Sequence, residues 1–241
     1  MILEKEKVFF YHLPKTGGTA IDKFIAEYFG YSPYNINTFH WGFIQKNLPQ
    51  NGSMAWTIQN VVHLPYVAQL KLAKAGKIVV DNSWKIFTVV RNPYYRLSSE
   101  MVWQSYLTRP DNYYTVRTHK ERQFLFNESQ NYFFNNDFQN NDWFNHRKSQ
   151  SSLLNGTEEH PKCKIYKYEN DLSFILIEEF NFDKNFKLKR ENDEAIKLNV
   201  PKLKYETLWT RNFIENCNKW YEKDFERFDY QMLNPMDYPQ F

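Results

Sequence analysis

Short apolar runs and longer one-sided stretches divide this chain into strands and helices. Val8-Phe9-Phe10 is unbroken apolar sequence and predicts a buried strand. Lys15-Thr16-Gly17-Gly18-Thr19 then reads as a tight turn, and Ala20 to Phe29 has helical spacing. Ile86 to Val90 is a second apolar, β-branched run, which predicts a second buried strand of the parallel type. Asn92 and Pro93 suit a helix N-cap and first helical position, and a helix is predicted from Tyr94 to Tyr106. Thr57 to Leu72 has helical character, Lys77 to Val80 predicts a short strand, and Thr38 to Ser53 is mixed and loop-like. Lys204 to Phe228 predicts a long helix with an apolar face, broken or bent near Asn216 to Asn218. Strand, turn and helix recurring in this order predict an α/β fold class.

Two of these junctions carry chemistry. Strand, Gly-containing turn and helix start together aim backbone N–H groups and the positive end of a helix at an anion. Lys15 adds a point charge there and Thr19 a hydroxyl donor. The turn is not a Walker A loop, in which the lysine follows the second glycine; here it precedes the glycine pair. At the second junction Arg91 falls at a strand end, and Ser99 about two turns into the following helix. An Arg fork matches two phosphate oxygens at once.

The stretch His12 to Ala20 resembles the 5′-phosphosulfate loop of the sulfotransferases that use 3′-phosphoadenosine 5′-phosphosulfate (PAPS). In the carbohydrate branch of that superfamily, the heparan sulfate 2-O-like enzymes, the loop commonly reads HIPKTGGTS. Ile86 to Glu100 resembles the same family's 3′-phosphate site, typically FVRNPYDRLVS, with Arg91 and Ser99 at the matching spacing. Lys164 to Leu172 looks like the family's late strand and following helix start, and Tyr221 to Tyr230 like its terminal helix. The resemblance implies one sulfotransferase domain over 1–241, with a P-loop-like fold and a central parallel sheet flanked by helices. Roughly 108–160 matches nothing and reads as an insertion or lid within that domain.

What the resemblance implies for the site is specific. Lys15 stabilises the bridging oxygen as its bond to sulfur breaks, and Thr16, Gly17, Gly18, Thr19 and Ala20 hold the 5′-phosphosulfate. Arg91 and Ser99 hold the 3′-phosphate. Val61 to Tyr66 resembles the family's His-x-[PT]-[AFY] segment, which makes His63 the general base for the acceptor hydroxyl, with His40 as its rival. His12 is read as structural or donor-orienting, and His119, His146 and His160 as residues without a role in the chemistry. Arg96 is left open between solvent and donor, Glu100 as a second base has weak support, and Glu169 is expected to close the late strand. PAPS serves as co-substrate, the acceptor is a hydroxyl, expected on a saccharide, and no metal is implied. Two other readings remain: a non-catalytic binder of nucleotides or glycans on the same fold, and a P-loop-like nucleotide kinase. The missing Walker A lysine and the lack of an acidic strand end for Mg²⁺ speak against the kinase.

Composition narrows the picture a little. A length of 241 residues is ample for a large core. Aromatics make up 19% of the chain, which reads mainly as core filling, with a smaller share for stacking on adenine or sugar. Asn127 to Asn145, crowded with Asn and aromatics, reads as a packed insertion or a lid. A net charge of +3 is too small for a nucleic-acid stripe and suits anionic small partners. The two cysteines, Cys163 and Cys217, form no metal pattern and read as idle or buried thiols. Three Asn-x-Ser/Thr sites are read as accidental in so Asn-rich a chain. No apolar run is long enough to span a membrane, and the expected location is cytoplasmic.

Overall fold

The computed structural model describes residues 1–30, 63–108, 118–134, 145–185, 187–188 and 203–240. In chain order the elements begin with β1 (Ile2–Leu3), β2 (Val8–Tyr11), α1 (Gly18–Tyr28), α2 (Tyr66–Ala75) and β3 (Lys85–Val90). There follow α3 (Pro93–Thr108), α4 (His119–Phe133), the short α5 (Gln150–Leu153), β4 (Lys164–Lys167) and α6 (Leu172–Phe180). Two further helices close the series, α7 (Arg211–Trp220) and α8 (Glu222–Arg227). Contacts group the chain into two compact units, Met1–Val90 with Trp143–Glu191, and Arg91–Asp142 with Asn192–Phe241.

The first unit holds a four-stranded sheet in the order β1-β2-β3-β4. β1 is antiparallel to β2; β2 and β3, and β3 and β4, are parallel, with Phe9 opposite Ile86 and Thr88 opposite Ile165. This is a mixed α/β, mostly parallel sheet flanked by helices, as the apolar runs predict. A parallel strand covered on both faces must be apolar throughout. All four residues of β2, and all of β3 after Lys85, are buried. Phe10, Phe87 and Val89 pack with Ile21 and Ile25 of α1 and with Ile175 and Leu176 of α6.

The second unit is helical. Its core joins Tyr94, Leu97 and Met101 of α3, Phe126 of α4, Phe213 and Cys217 of α7, and Trp209, Tyr221 and Phe225. Among the described residues the eight largest fully buried side chains are Tyr or Phe, so core filling accounts for much of the aromatic content there. Both cysteines are free, and Cys217 is buried, which pushes its thiol well above the usual range.

Three local expectations are corrected. The stretch 77–80 is not a strand: it follows the end of α2 as irregular chain, and Val79 is 69% exposed. The long C-terminal helix is three pieces, a 3-10 turn (Tyr205–Leu208), α7 and α8. Thr210 starts α7 by accepting the Phe213 N–H at 3.1 Å, and Tyr221 leaves helical geometry at φ −117°. Asn216 and Asn218 stand inside α7 without breaking it. Asn216 bonds back to the Asn212 carbonyl, and Asn218 bonds to the Leu233 carbonyl and the Tyr94 hydroxyl. Of the Asn- and aromatic-rich stretch, the part up to Phe134 is helix α4 and its end, with Phe133 in the core of the second unit. Phe138, Trp143 and Phe144 lie outside the described residues, as do Thr38 to Ser53 and His40.

Candidate active site

β2 ends at Tyr11 and α1 begins at Gly18, so residues 12–17 form the turn between them. Lys15 and Gly17 take left-handed backbone, at φ 64° and 80°. Gly17 is the N-cap of α1 and brings no side-chain cap to it. The Gly17 carbonyl accepts the Ala20 N–H at 3.1 Å, and a helix start with no capping side chain is the kind of end that suits an anion. Each glycine is required for its own reason. A Cβ on Gly17 would lie 2.6 Å from Leu172 Cδ1 and 3.0 Å from Tyr168 Cε2. A Cβ on Gly18 would lie 2.1 Å from Cδ2 of His12, so that imidazole sits directly against the helix start.

The threonines of the turn differ. Thr16 is fully buried, and its hydroxyl donates to the Leu13 carbonyl at 2.9 Å. Its proton is used inside the turn, so donation from Thr16 to a phosphate falls to its backbone N–H. Thr19 is partly exposed, like Lys15, while Ala20 is buried. His12 Nδ1 donates to Asp22 Oδ2 at 2.6 Å, and both residues are buried. Asp22 was missed in the sequence, although its signal was there: a carboxylate on the face of α1 that otherwise carries Ile21, Ile25 and Ala26.

His63 meets this turn at its head. Its Nδ1 lies 3.2 Å from the His12 carbonyl oxygen. A carbonyl only accepts, so Nδ1 carries the proton and Nε2 of the neutral ring keeps its lone pair. The rings of His12 and His63 stand edge to face, centroids 5.0 Å apart. His146 meets the His63 ring the same way at 4.8 Å, and Asn145 donates to the His63 carbonyl at 2.9 Å. Burial, then the His12 and His146 imidazoles, push His63 well below its ordinary 6.5, against smaller opposite pulls from the His12 carbonyl and Asp22. His160 lies elsewhere, 3.1 Å from the Tyr66 hydroxyl, and His119 is exposed at the start of α4.

In the second unit Arg91 directly precedes the start of α3. Asn92 accepts the Tyr94 N–H at 3.0 Å and Pro93 opens the helix. Arg91 and Ser99 are both partly buried. The neighbouring Ser98 is fully buried and accepts the Trp209 indole N–H at 2.9 Å, which leaves Ser99 as the accessible hydroxyl of the pair. Arg96 faces the interior, 2% exposed, with its guanidinium 6.0 Å from the Tyr221 ring centre. Glu100 is buried as well, and Glu169 is exposed in the 3-10 turn after β4. A cleft beside the start of α3 is lined by Asn92, Tyr95, Glu206, Trp209, Gln231 and Tyr238.

The family model described as the sulfotransferase family matches residues 1–231, and the chain belongs to that family. It is an enzyme of the sulfuryl-transferring class, for which the family implies PAPS as the donor. Comparison with curated proteins and with solved structures returns no match. Among the described residues no helix is long and apolar enough to cross a membrane.

Proposed function

We propose that the protein transfers the sulfuryl group of PAPS to a hydroxyl of a saccharide, with His63 as general base and Lys15 stabilising the leaving phosphate. The observation that carries this reading is the bond from His63 Nδ1 to the His12 carbonyl. It assigns the tautomer whose Nε2 accepts a proton, and the depressed basicity of the ring keeps it neutral near pH 7. The acceptor O–H gives its proton to Nε2, and the acceptor oxygen bonds to sulfur. The bond from sulfur to the bridging oxygen breaks, and adenosine 3′,5′-bisphosphate leaves. Lys15 opposes the charge that grows on the bridging oxygen, where it matters most in the transition state. The turn 12–17 and the start of α1 supply N–H groups for the 5′-phosphosulfate, and Arg91 with Ser99 takes the 3′-phosphate. The saccharide acceptor rests on the resemblance of His12 to Ala20 to the carbohydrate branch.

The test is a panel of glycan acceptors incubated with radiolabelled PAPS. Label is expected in at least one glycan. His63→Ala should still bind adenosine 3′,5′-bisphosphate by calorimetry and lose roughly 10²–10⁴ in turnover. Full turnover in that variant removes His63 as the base. Nucleotide binding with no transfer to any acceptor favours a non-catalytic binder.

A further inference from the structure

Nothing in the sequence around residue 146 marks it for the chemistry, yet the fold delivers it to the His63 ring. Tyr11, at the end of β2, explains how. Its hydroxyl lies 2.8 Å from the Leu64 carbonyl and 3.1 Å from the Leu153 carbonyl. One side chain thus ties the residue after His63 and the end of α5 to the same strand end. The turn before α5 carries Asn145, in left-handed backbone at φ 56°, a conformation Asn tolerates better than most residues. From there its amide reaches the His63 carbonyl at 2.9 Å, and His146 stands edge to face against the His63 ring at 4.8 Å.

We infer that His146, braced by Asn145, is a positioning residue for His63: its ring edge fixes the orientation of that imidazole. The catalytic consequence rests on the proposed role of His63; the physical coupling of the two rings does not. Among the described residues, the titratable groups acting on His63 are His12 from the turn after β2, Asp22 from α1, and His146 from the turn before α5. His12 has Asp22 as its ion partner. A proton on His12 or on His146 opposes one on His63, and a proton on His12 also meets the Asp22 carboxylate. An imidazolium at this distance disfavours a second one even at the dielectric of water, and more so where water is excluded. His146 thus keeps His63 in its proton-accepting form to lower pH, and its ring edge limits rotation of the His63 plane.

The experiment is a histidine NMR titration of the full chain, with binding of adenosine 3′,5′-bisphosphate as the check of folding. In the parent protein His63 should titrate below 6.5. In His146→Phe, which keeps an aromatic edge and removes the charge, the His63 midpoint should rise by about half a pH unit or more. The acid limb of turnover should move the same way. In His146→Ala, which also removes the edge, turnover should fall further while nucleotide affinity stays. An unchanged His63 midpoint in a folded His146→Phe protein overturns the inference. So does a parent His63 that titrates at or above 6.5, a result that needs no variant to fold. Failure of the base assignment reads out separately, as full turnover in His63→Ala.

Discussion

At the scale of single residues, one hydrogen bond decides what His63 offers. Because its Nδ1 donates to a carbonyl, its reactive nitrogen is Nε2, and burial beside two other imidazoles makes it a weaker base than a free histidine. A general base works only when deprotonated, so turnover should rise with pH through the His63 midpoint and level off above it. With that midpoint well below 6.5, the rising limb of a kcat–pH profile should lie on the acid side of 6.5, with the plateau reached by neutral pH. A limb centred at 7 or above assigns the base to another group. The serine pair on α3 gives a second test. Ser98→Ala strips the acceptor from a buried Trp209 N–H, which should cost about 1–3 kcal/mol in urea denaturation. Ser99→Ala should leave stability within about 0.5 kcal/mol and weaken adenosine 3′,5′-bisphosphate while leaving AMP binding unchanged. If AMP weakens equally by calorimetry, Ser99 does not read the 3′-phosphate.

At the scale of elements, legibility followed burial. β2 and β3 were readable because a strand covered on both faces has to be apolar at every position, and their following helices because glycine and Asn-Pro mark helix starts. The stretch 77–80 misled for the converse reason: Ile78, Val79 and Val80 look like a strand, but they are not among the strands of the described sheet and Val79 faces water. The C-terminal breaks were misplaced because Asn is a poor helix former only on average. Here Asn216 and Asn218 bond to the helix and to the chain beyond it, while the real start is made by Thr210. Thr210→Ala should therefore cost about 1 kcal/mol, the usual worth of an N-cap, as a lowered urea midpoint. Thr210→Ser should restore most of it. If alanine and serine variants are equally stable, the hydroxyl is not what starts α7.

At the scale of the whole chain, the motifs named the turns proposed to hold the donor but not the cluster that surrounds His63. His12, His63 and His146 are far apart in sequence, and what joins them is β2 feeding the turn and Tyr11 gathering two distant carbonyls. Local pattern carries no information about such closures. The same cluster ties the proton chemistry of the site to the stability of the fold. In the unfolded chain His63 takes its proton near 6.5, whereas in the folded chain it resists protonation to well below that value. Below 6.5 the unfolded state thus binds more protons than the native state, and stability must fall as pH falls. The slope from this one group is at most about 1.4 kcal/mol per pH unit, and it ends once the native ring also protonates. Urea midpoints measured from pH 7.5 down to 5 should decline across this range. His63→Gln, which cannot titrate, should show a shallower decline. Equal slopes in parent and variant mean that the folded protein does not hold His63 neutral, and the pH behaviour proposed for the active site goes with it.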